Sequence, residues 1–164
     1  MQVRRLTISD AADYRALRLR SFREHPEAFT TSYEELEQQS LADAEKRIAA
    51  PNIQLWGAFE GDKLCGYVGL ERETRAKNRH KATLVGMYVM PEAAGGGIGH
   101  ALVDALLAQA RADGLESIVL TVTEGNDKAQ KLYERCGFRS FGVEPHAIKV
   151  DGRAYAKNHM VLLL

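Results

Sequence analysis

Residues 94–99 read Ala-Gly-Gly-Gly-Ile-Gly. They follow a β-like stretch, Ala82 to Val89, closed by Pro91, and they precede an apolar-periodic segment, Ile98 to Ala112. A strand that feeds a glycine-rich turn into a helix N-terminus is an anion site. Small residues let the backbone approach a ligand, several N–H groups point outward unpaired, and the helix dipole favours negative charge. Ala94, Gly95, Gly96, Gly97, Ile98, Gly99 and His100 are the candidate binding residues of this turn. Three phosphate motifs compete for it. A P-loop needs Lys and Ser/Thr directly after its last glycine, and here Gly99 is followed by His100-Ala101. A dinucleotide fingerprint needs G-x-G-x-x-G after the first strand of its fold. Gly97-Ile98-Gly99-His100-Ala101-Leu102 lacks the last small residue and lies in the second half of the chain.

The third is the pyrophosphate loop of acyl-CoA transferases, and here the match extends beyond the loop. The segment from Val85 to Leu102 closely resembles a signature of the GNAT acetyltransferase superfamily: (Arg/Gln)-x-x-Gly-x-(Gly/Ala) after an apolar strand that ends near a proline. A second signature, Asn-x-x-Ala-x-x-Leu-Tyr-x-x-x-Gly-Phe, is met by Asn126, Ala129, Leu132, Tyr133, Gly137 and Phe138. With the flanking strands, the resemblance covers nearly the whole chain. It departs at one place: Ala94 stands where the family usually carries Arg or Gln. Without that side chain, and with Gly95 and Gly96 loosening the loop, cofactor binding is expected to be weaker or entropically costlier, but retained.

The resemblance implies transfer of an acetyl group from acetyl-CoA to a primary amine, with no metal. It implies that the strand before the loop splays from the Ser117–Thr123 strand, and that the pantetheine arm pairs with the first of these like an added strand. Met87 and Val89 then offer free backbone N–H groups, one of which can stabilise the tetrahedral oxyanion. Tyr133 becomes the general acid for the leaving thiolate. Its inward stripe, Ala129, Leu132, Tyr133 and Cys136, equally suits a core tyrosine. Asn126 lies near the pantetheine and doubles as a helix N-cap. The base is less defined, because Ala82 to Val89 holds no carboxylate. Glu71 ranks first, since strand alternation through Tyr67 and Gly69 points it to the cleft. Glu73, His80, Glu124 and a water chain are the alternatives. A CoA-binding regulatory module with little or no catalysis is the competing function, motivated by Ala94 and the missing strand carboxylate.

The elements that must position these groups are legible in the periodicity. Gln2–Ile8 reads as a strand. Ser9-Asp10 caps a helix that runs to about Glu24, ended by His25-Pro26. A second helix is expected over Tyr33–Ala49, stopping before Pro51. Ile53–Phe59 and Leu64–Glu73 form a hairpin around a turn at Glu60–Lys63. Arg75–His80 is a polar turn into the strand before the glycine loop. Gly114 ends the following helix. Ser117–Thr123 is a buried strand, Asn126–Cys136 a short helix and Phe138–Val143 a strand. Ala147–Gly152 is a turn region, and Tyr155–Leu163 is the last strand. The expected fold is mixed α/β, the GNAT fold: about seven strands in a mostly antiparallel central sheet, flanked by about four helices. Residues 1–164 are expected to form a single domain.

The 164 residues suffice to bury a core. With 22 basic and 22 acidic residues the net charge is zero, which removes the simplest case for nucleic-acid binding. Arg72, Arg75, Lys77, Arg79 and Lys81 read as a solvated hairpin tip. No apolar run suits a signal peptide or a membrane span. Cys65 and Cys136 lack metal-like spacing and read as reduced thiols, so a cytoplasmic location is expected. Acceptor choice is expected to lie in Ala12–Ala49, Arg75–His80 and Glu144–Tyr155. The segment Glu27–Tyr33 offers aromatic and hydroxyl groups for a substrate mouth. Glu34, Glu35 and Glu37 offer an acidic surface for a cationic amine. A small-molecule amine is slightly favoured over a protein amine. The final strands can pair between chains, which is compatible with a homodimer.

Overall fold

The computed structural model describes all of residues 1–164. One seven-stranded sheet runs through it in the order β1-β2-β3-β4-β5-β7-β6. The strands are β1 (Gln2–Arg5), β2 (Ile53–Glu60), β3 (Lys63–Arg72), β4 (Lys81–Val89), β5 (Ser117–Thr123), β6 (Arg139–Val150) and β7 (Arg153–Leu163). The helices are α1 (Ala11–Glu24), α2 (Tyr33–Glu37), α3 (Leu41–Ala49), α4 (Ile98–Ala112) and α5 (Asp127–Arg135). Every neighbouring strand pair is antiparallel except β4 and β5. Antiparallel hairpins need only tight turns, whereas the parallel pair needs a crossover, and α4 supplies it.

Adjacent β3 residues point to opposite faces of the sheet, which fixes where the helices lie. A Cβ placed on Gly66 would stand 3.3 Å from Leu102 of α4. The next residue, Tyr67, meets α1 instead: its hydroxyl lies 2.7 Å from Ser21 Oγ, and its ring makes a T-shaped contact with Tyr14. So α4 packs on one face and α1 on the other. The apolar stripe of α4, Ile98, Leu102, Val103, Leu106, Leu107 and Ala110, is fully buried against the sheet. Burial of that stripe is the main stabilisation of the helix, since isolated helices of this length are marginal in water.

Two elements depart from the sequence reading. The expected helix over Tyr33–Ala49 is two helices. Ser32 and Ser40 each cap a new start, accepting from the backbone N–H of Glu35 and Asp43, whose carboxylates reach back to the serine N–H groups. The second capping box at Ser40 ends any continuous run through Gln38 and Gln39. The expected turn over Ala147–Gly152 shrinks to Asp151-Gly152, both at positive φ, and β6 extends to Val150. That is the two-residue turn favoured between twisted antiparallel strands. β6 is irregular on the way, with register shifts after Ser140 and Glu144 and His146 at positive φ. At the chain start the strand expected over Gln2–Ile8 ends at Arg5, and of the expected Ser9-Asp10 cap it is Asp10 that precedes the helix. Its carboxylate accepts from the Thr7 N–H at 2.7 Å and from Arg4 at 2.8 and 2.9 Å. No helix is long and apolar enough to cross a membrane.

Candidate active site

β4 and β5 pair only from Lys81↔Ser117 to Thr83↔Val119. Beyond Thr83 the two strands part. β4 keeps its pairing with β3, but with an extra residue: Tyr67 opposes Tyr88 while Gly69 opposes Val85. The surplus sits at Gly86-Met87, a β-bulge, and Gly86 has φ +64°. The same glycine faces Tyr67, whose ring would stand 3.2 Å from a Cβ there. Past the bulge, the Met90 N–H donates to the Cys65 carbonyl of β3. Alternation along an antiparallel strand then directs Tyr88 toward β3 and the polar backbone of Val89 away from it, into the gap.

A cleft of about 990 Å³ opens at this gap. The β4 side supplies Met87, Tyr88 and Val89. The glycine loop and the start of α4 supply Ala94, Gly95, Gly97, Ile98, Gly99 and His100, and α5 supplies Asn126, Ala129 and Leu132. Gly95 and Gly97 have φ of +90° and +75°, and Gly97 is the N-cap of α4 without any side-chain cap bond. Cβ atoms on Gly95, Gly96 or Gly97 would meet nothing within 4 Å. The loop thus needs glycine for its backbone shape, and it leaves open space beside the unpaired N–H groups of the helix start. Gly99 has a different reason: a Cβ there would press on Leu132 at 3.1 Å, so α4 and α5 approach closely. This loop geometry and helix terminus fit the diphosphate of a CoA thioester.

The loop is anchored from the opposite face. Arg20 of α1 donates to both carboxylate oxygens of Glu92, at 2.7 and 2.8 Å, and also to Glu24. Its cation holds the Glu92 carboxyl down at about 2. Glu24 accepts from the Tyr88 hydroxyl, whose ionisation is pushed up by burial and by that carboxylate.

Asn126 accepts from the Ala129 N–H at 3.3 Å, as an N-cap, and lines the cleft. Tyr133 is buried, with its ring edge-on to Phe138. It does not line the large cleft; Leu132 faces it instead. No buried side-chain nitrogen or oxygen in the protein lacks a partner. The Tyr133 hydroxyl has no hydrogen-bond partner in the protein, and burial pushes its ionisation further above the ordinary phenol range. His100 projects from the first turn of α4, with Nδ1 3.6 Å from Cys136 Sγ and Nε2 3.3 Å from Asp104. Both cysteines are free thiols.

The base candidates scatter. Glu71 lines a second, inner cavity of about 360 Å³ rather than the large cleft. Glu124 lines the cleft but accepts from the Ala156 N–H at 3.0 Å. Glu73 accepts from Asn78, and neither it nor His80 lines either cavity. The second cavity adjoins the large cleft. Ala28 and Phe29 line both, and along β4 the lining passes from Thr83–Gly86 inside to Met87–Val89 outside. Its far wall is α1, through Tyr14, Arg18 and Phe22. The parting of β4 and β5 therefore lies between a cleft beside α4 and α5 and a neighbouring cavity beside α1.

Sequence reasoning missed part of this wall. Arg18, Arg47 and Lys157 line the chamber, and Lys128, Arg135, Arg153 and Tyr155 line the cleft. They come from separated segments, and no local pattern marks them. The expected aromatic and hydroxyl mouth at Glu27–Tyr33 is partly there: Phe29, Thr30 and Thr31 line the chamber. The acidic surface is not. Glu34, Glu35 and Glu37 are exposed on α2 and line neither cavity, and Glu35 is spent on its capping box.

A model of the GNAT acetyltransferase family matches residues 15–138. A mycothiol acetyltransferase from Geodermatophilus obscurus is 36% identical over 138 residues, which cover 82% of this chain and 41% of that protein. The chain spans about two fifths of the length of the curated relatives it matches. Among solved structures, a ribosomal-protein-alanine N-acetyltransferase from Brucella melitensis superposes with a TM-score of 0.87 at 21% identity, covering 100% of both chains. An acetyltransferase from Salmonella typhimurium, solved with acetyl-CoA, superposes with a TM-score of 0.83 at 22% identity, covering 100% of this chain and 94% of that one.

Proposed function

The chain belongs to the GNAT acetyltransferase family, and we propose that it moves the acetyl group of acetyl-CoA to a primary amine by direct attack. We read residues 1–164 as one such catalytic domain. The observation that carries the reading is the parting of β4 from β5 after Thr83, beside a glycine loop whose open side faces the same cleft. The free edge of β4 can pair with an extended amide-bearing arm as a strand would. The diphosphate then falls on the α4 N-terminus, and Gly95 to Gly99 and His100 supply its donors.

In this reading the amine enters from the chamber and meets the thioester at the Gly86-Met87 bulge. The N–H of Met87 or Val89 stabilises the oxyanion, a contribution of about 10²–10³ in rate for one such donor. A carbon–nitrogen bond forms as the carbon–sulfur bond breaks. The proton lost by the ammonium passes to Glu71 and on to solvent. Glu71 stands opposite Thr83, three residues from Gly86. At about 3.4 Å per residue that is about 10 Å along the strand, so the proton travels through water. Tyr133, a phenol protonated at neutral pH, gives its proton to the departing thiolate. Asn126 holds the start of α5 and leaves its amide N–H groups for the arm. We favour a small-molecule amine over a protein amine, because the lining of the acceptor cavity is concave and its volume is about 360 Å³.

The test is acetyl-CoA-dependent thiol release across a panel of amines, beside thermal stabilisation by acetyl-CoA. At a hundredfold excess over Kd, binding adds about 2.7 kcal/mol to stability. Stabilisation without turnover on any amine would favour a CoA-binding regulatory module. No stabilisation at millimolar acetyl-CoA would remove both.

A further inference from the structure

We infer that the acceptor amine also carries an anionic group, seated in the inner chamber by Arg18 and Arg47 with Lys157 on the facing wall. This rests on the acetyltransferase reading and specifies its acceptor. The chamber is lined by three cationic side chains, Arg18, Arg47 and Lys157, against one carboxylate, Glu71. None of the three makes an ion pair, although Arg4, Arg20 and Arg72 elsewhere in the molecule all do. The two arginines gather about one tyrosine. Arg47 Nε donates to the Tyr14 hydroxyl at 3.1 Å, and the Arg18 guanidinium lies over the rings of Tyr14 and Phe22. Lys157 Nζ donates to Thr30 Oγ1 at 2.7 Å, a neutral partner.

Such an arrangement is unfavourable while empty. Burial disfavours the Arg18 cation, and this outweighs the support of the Tyr14 and Tyr67 hydroxyls, with Arg47 adding to the cost. Two guanidiniums gathered about one tyrosine favour an anion before them, and Glu71, the one carboxylate of the chamber, pairs with neither. Guanidinium forks match the planar oxygens of carboxylates and phosphates. A small amino-carboxylate or aminophosphonate brings such oxygens together with the amine. Polyamines are disfavoured, because they bring more positive charge to a wall that already has an excess. The acidic surface that could attract them lies outside, on α2.

Thiol release by the intact protein with saturating acetyl-CoA tests this with matched acceptors. Glycine, β-alanine and γ-aminobutyrate are compared with their primary amides, and 2-aminoethylphosphonate with ethanolamine. The anionic member of each effective pair should be turned over with a kcat/KM about 10–100-fold higher, the range for losing a charged hydrogen-bonded contact. The carboxylate and phosphonate arms decide which anion fits. Arg47→Gln should raise KM for the anionic acceptors about 10-fold more than for their amides, so that the preference within each pair is lost, while acetyl-CoA affinity read by calorimetry is unchanged. Arg18 packs on Tyr14 and Phe22, so Arg18→Gln risks misfolding. In its place, butyrate, the γ-aminobutyrate skeleton without its amine, should inhibit the unaltered protein competitively against the acceptor and not against acetyl-CoA. Turnover of amides or polyamines as fast as of the anionic amines would overturn the inference and leave the acetyltransferase reading standing. Absence of turnover on every amine would overturn that reading, and the inference with it.

Discussion

Replacing Ala94 by Arg should tighten acetyl-CoA binding about fivefold. Ala94 lines the cleft at φ −66°, ψ 156°, an extended conformation open to any side chain. The substitution therefore strains nothing, and its exposed position leaves room for the guanidinium. A charge-assisted hydrogen bond to phosphate contributes about 1.5–3 kcal/mol. Ordering a long side chain costs about 0.5–1.5 kcal/mol. The net is about 1 kcal/mol, and tenfold corresponds to about 1.4 kcal/mol. Calorimetric titration of CoA reads the Kd directly. In a melting assay at fixed saturating acetyl-CoA, the same 1 kcal/mol should raise Tm by about 2–4 °C beyond the ligand shift of the parent. The gain should shrink as salt rises, because the contact lies at the surface. Ala94→Glu should move Kd the other way. The reasoning fails if neither substitution changes the Kd, because the loop would then not face the phosphates. It also fails if Arg weakens binding, because the cations already on the cleft wall, Lys128 and Arg135, would then have filled that role.

Tyr133→Phe should lower kcat by about 10²–10⁴ and leave acetyl-CoA affinity unchanged. Its hydroxyl has no protein partner and its ring contact with Phe138 survives, so Tm should stay put; an unaltered kcat would return Tyr133 to the core. Glu71→Gln should lower kcat/KM for every amine while thermal stabilisation by acetyl-CoA persists, and equal activity of the two proteins would move the base to Glu124 or to water alone. Asp10→Asn should destabilise the protein by about 1.5–3 kcal/mol at neutral pH, the range for a charged hydrogen bond. Arg4 holds the Asp10 carboxyl down at about 2. A depressed carboxyl contributes stability that is complete above its unfolded pKa and is lost as pH falls through its folded one. The gap between variant and parent in denaturant titrations should therefore close as pH falls from about 4 through about 2. A gap of constant size down to pH 2 would assign the effect to packing instead.

The fold was largely legible because its signals are local. The α4 bounds, Ile98–Ala112, and the β5 bounds, Ser117–Thr123, match the expectation to the residue. Each is a dense apolar pattern ended by a breaker: Gly97 before α4, Gly114 after it, and Gly125 after β5. The misread elements lacked such contrast. The run Tyr33–Ala49 has no Gly or Pro inside it, and its break depends on a serine competing with the helix for backbone N–H groups. The site divides along the same line. Residues that act through backbone, the glycine loop above all, announce themselves by composition. Residues that act through charge at long range do not. Arg18, Arg47 and Lys157 share a cavity only because α1, α3 and β7 are folded around β4.

Gly86 shows why the two halves of the site had to be read together. Its positive φ and its close approach to Tyr67 leave almost no alternative residue there. The extra residue that it introduces turns β4 at the point where β5 has already been released. Without a bulge, regular alternation would continue, and β4 could pair with β5 along its length, closing the passage. The parting would then be lost, and the chamber beside α1 would have no route to the cleft beside α4. Tyr67 is held in turn by Ser21 and Tyr14, and Tyr14 by Arg47. The bulge that exposes the proposed oxyanion donors thus leans on Tyr14, which also lines the proposed acceptor chamber. In the proposed mechanism acceptor recognition and thioester activation share one continuous set of contacts.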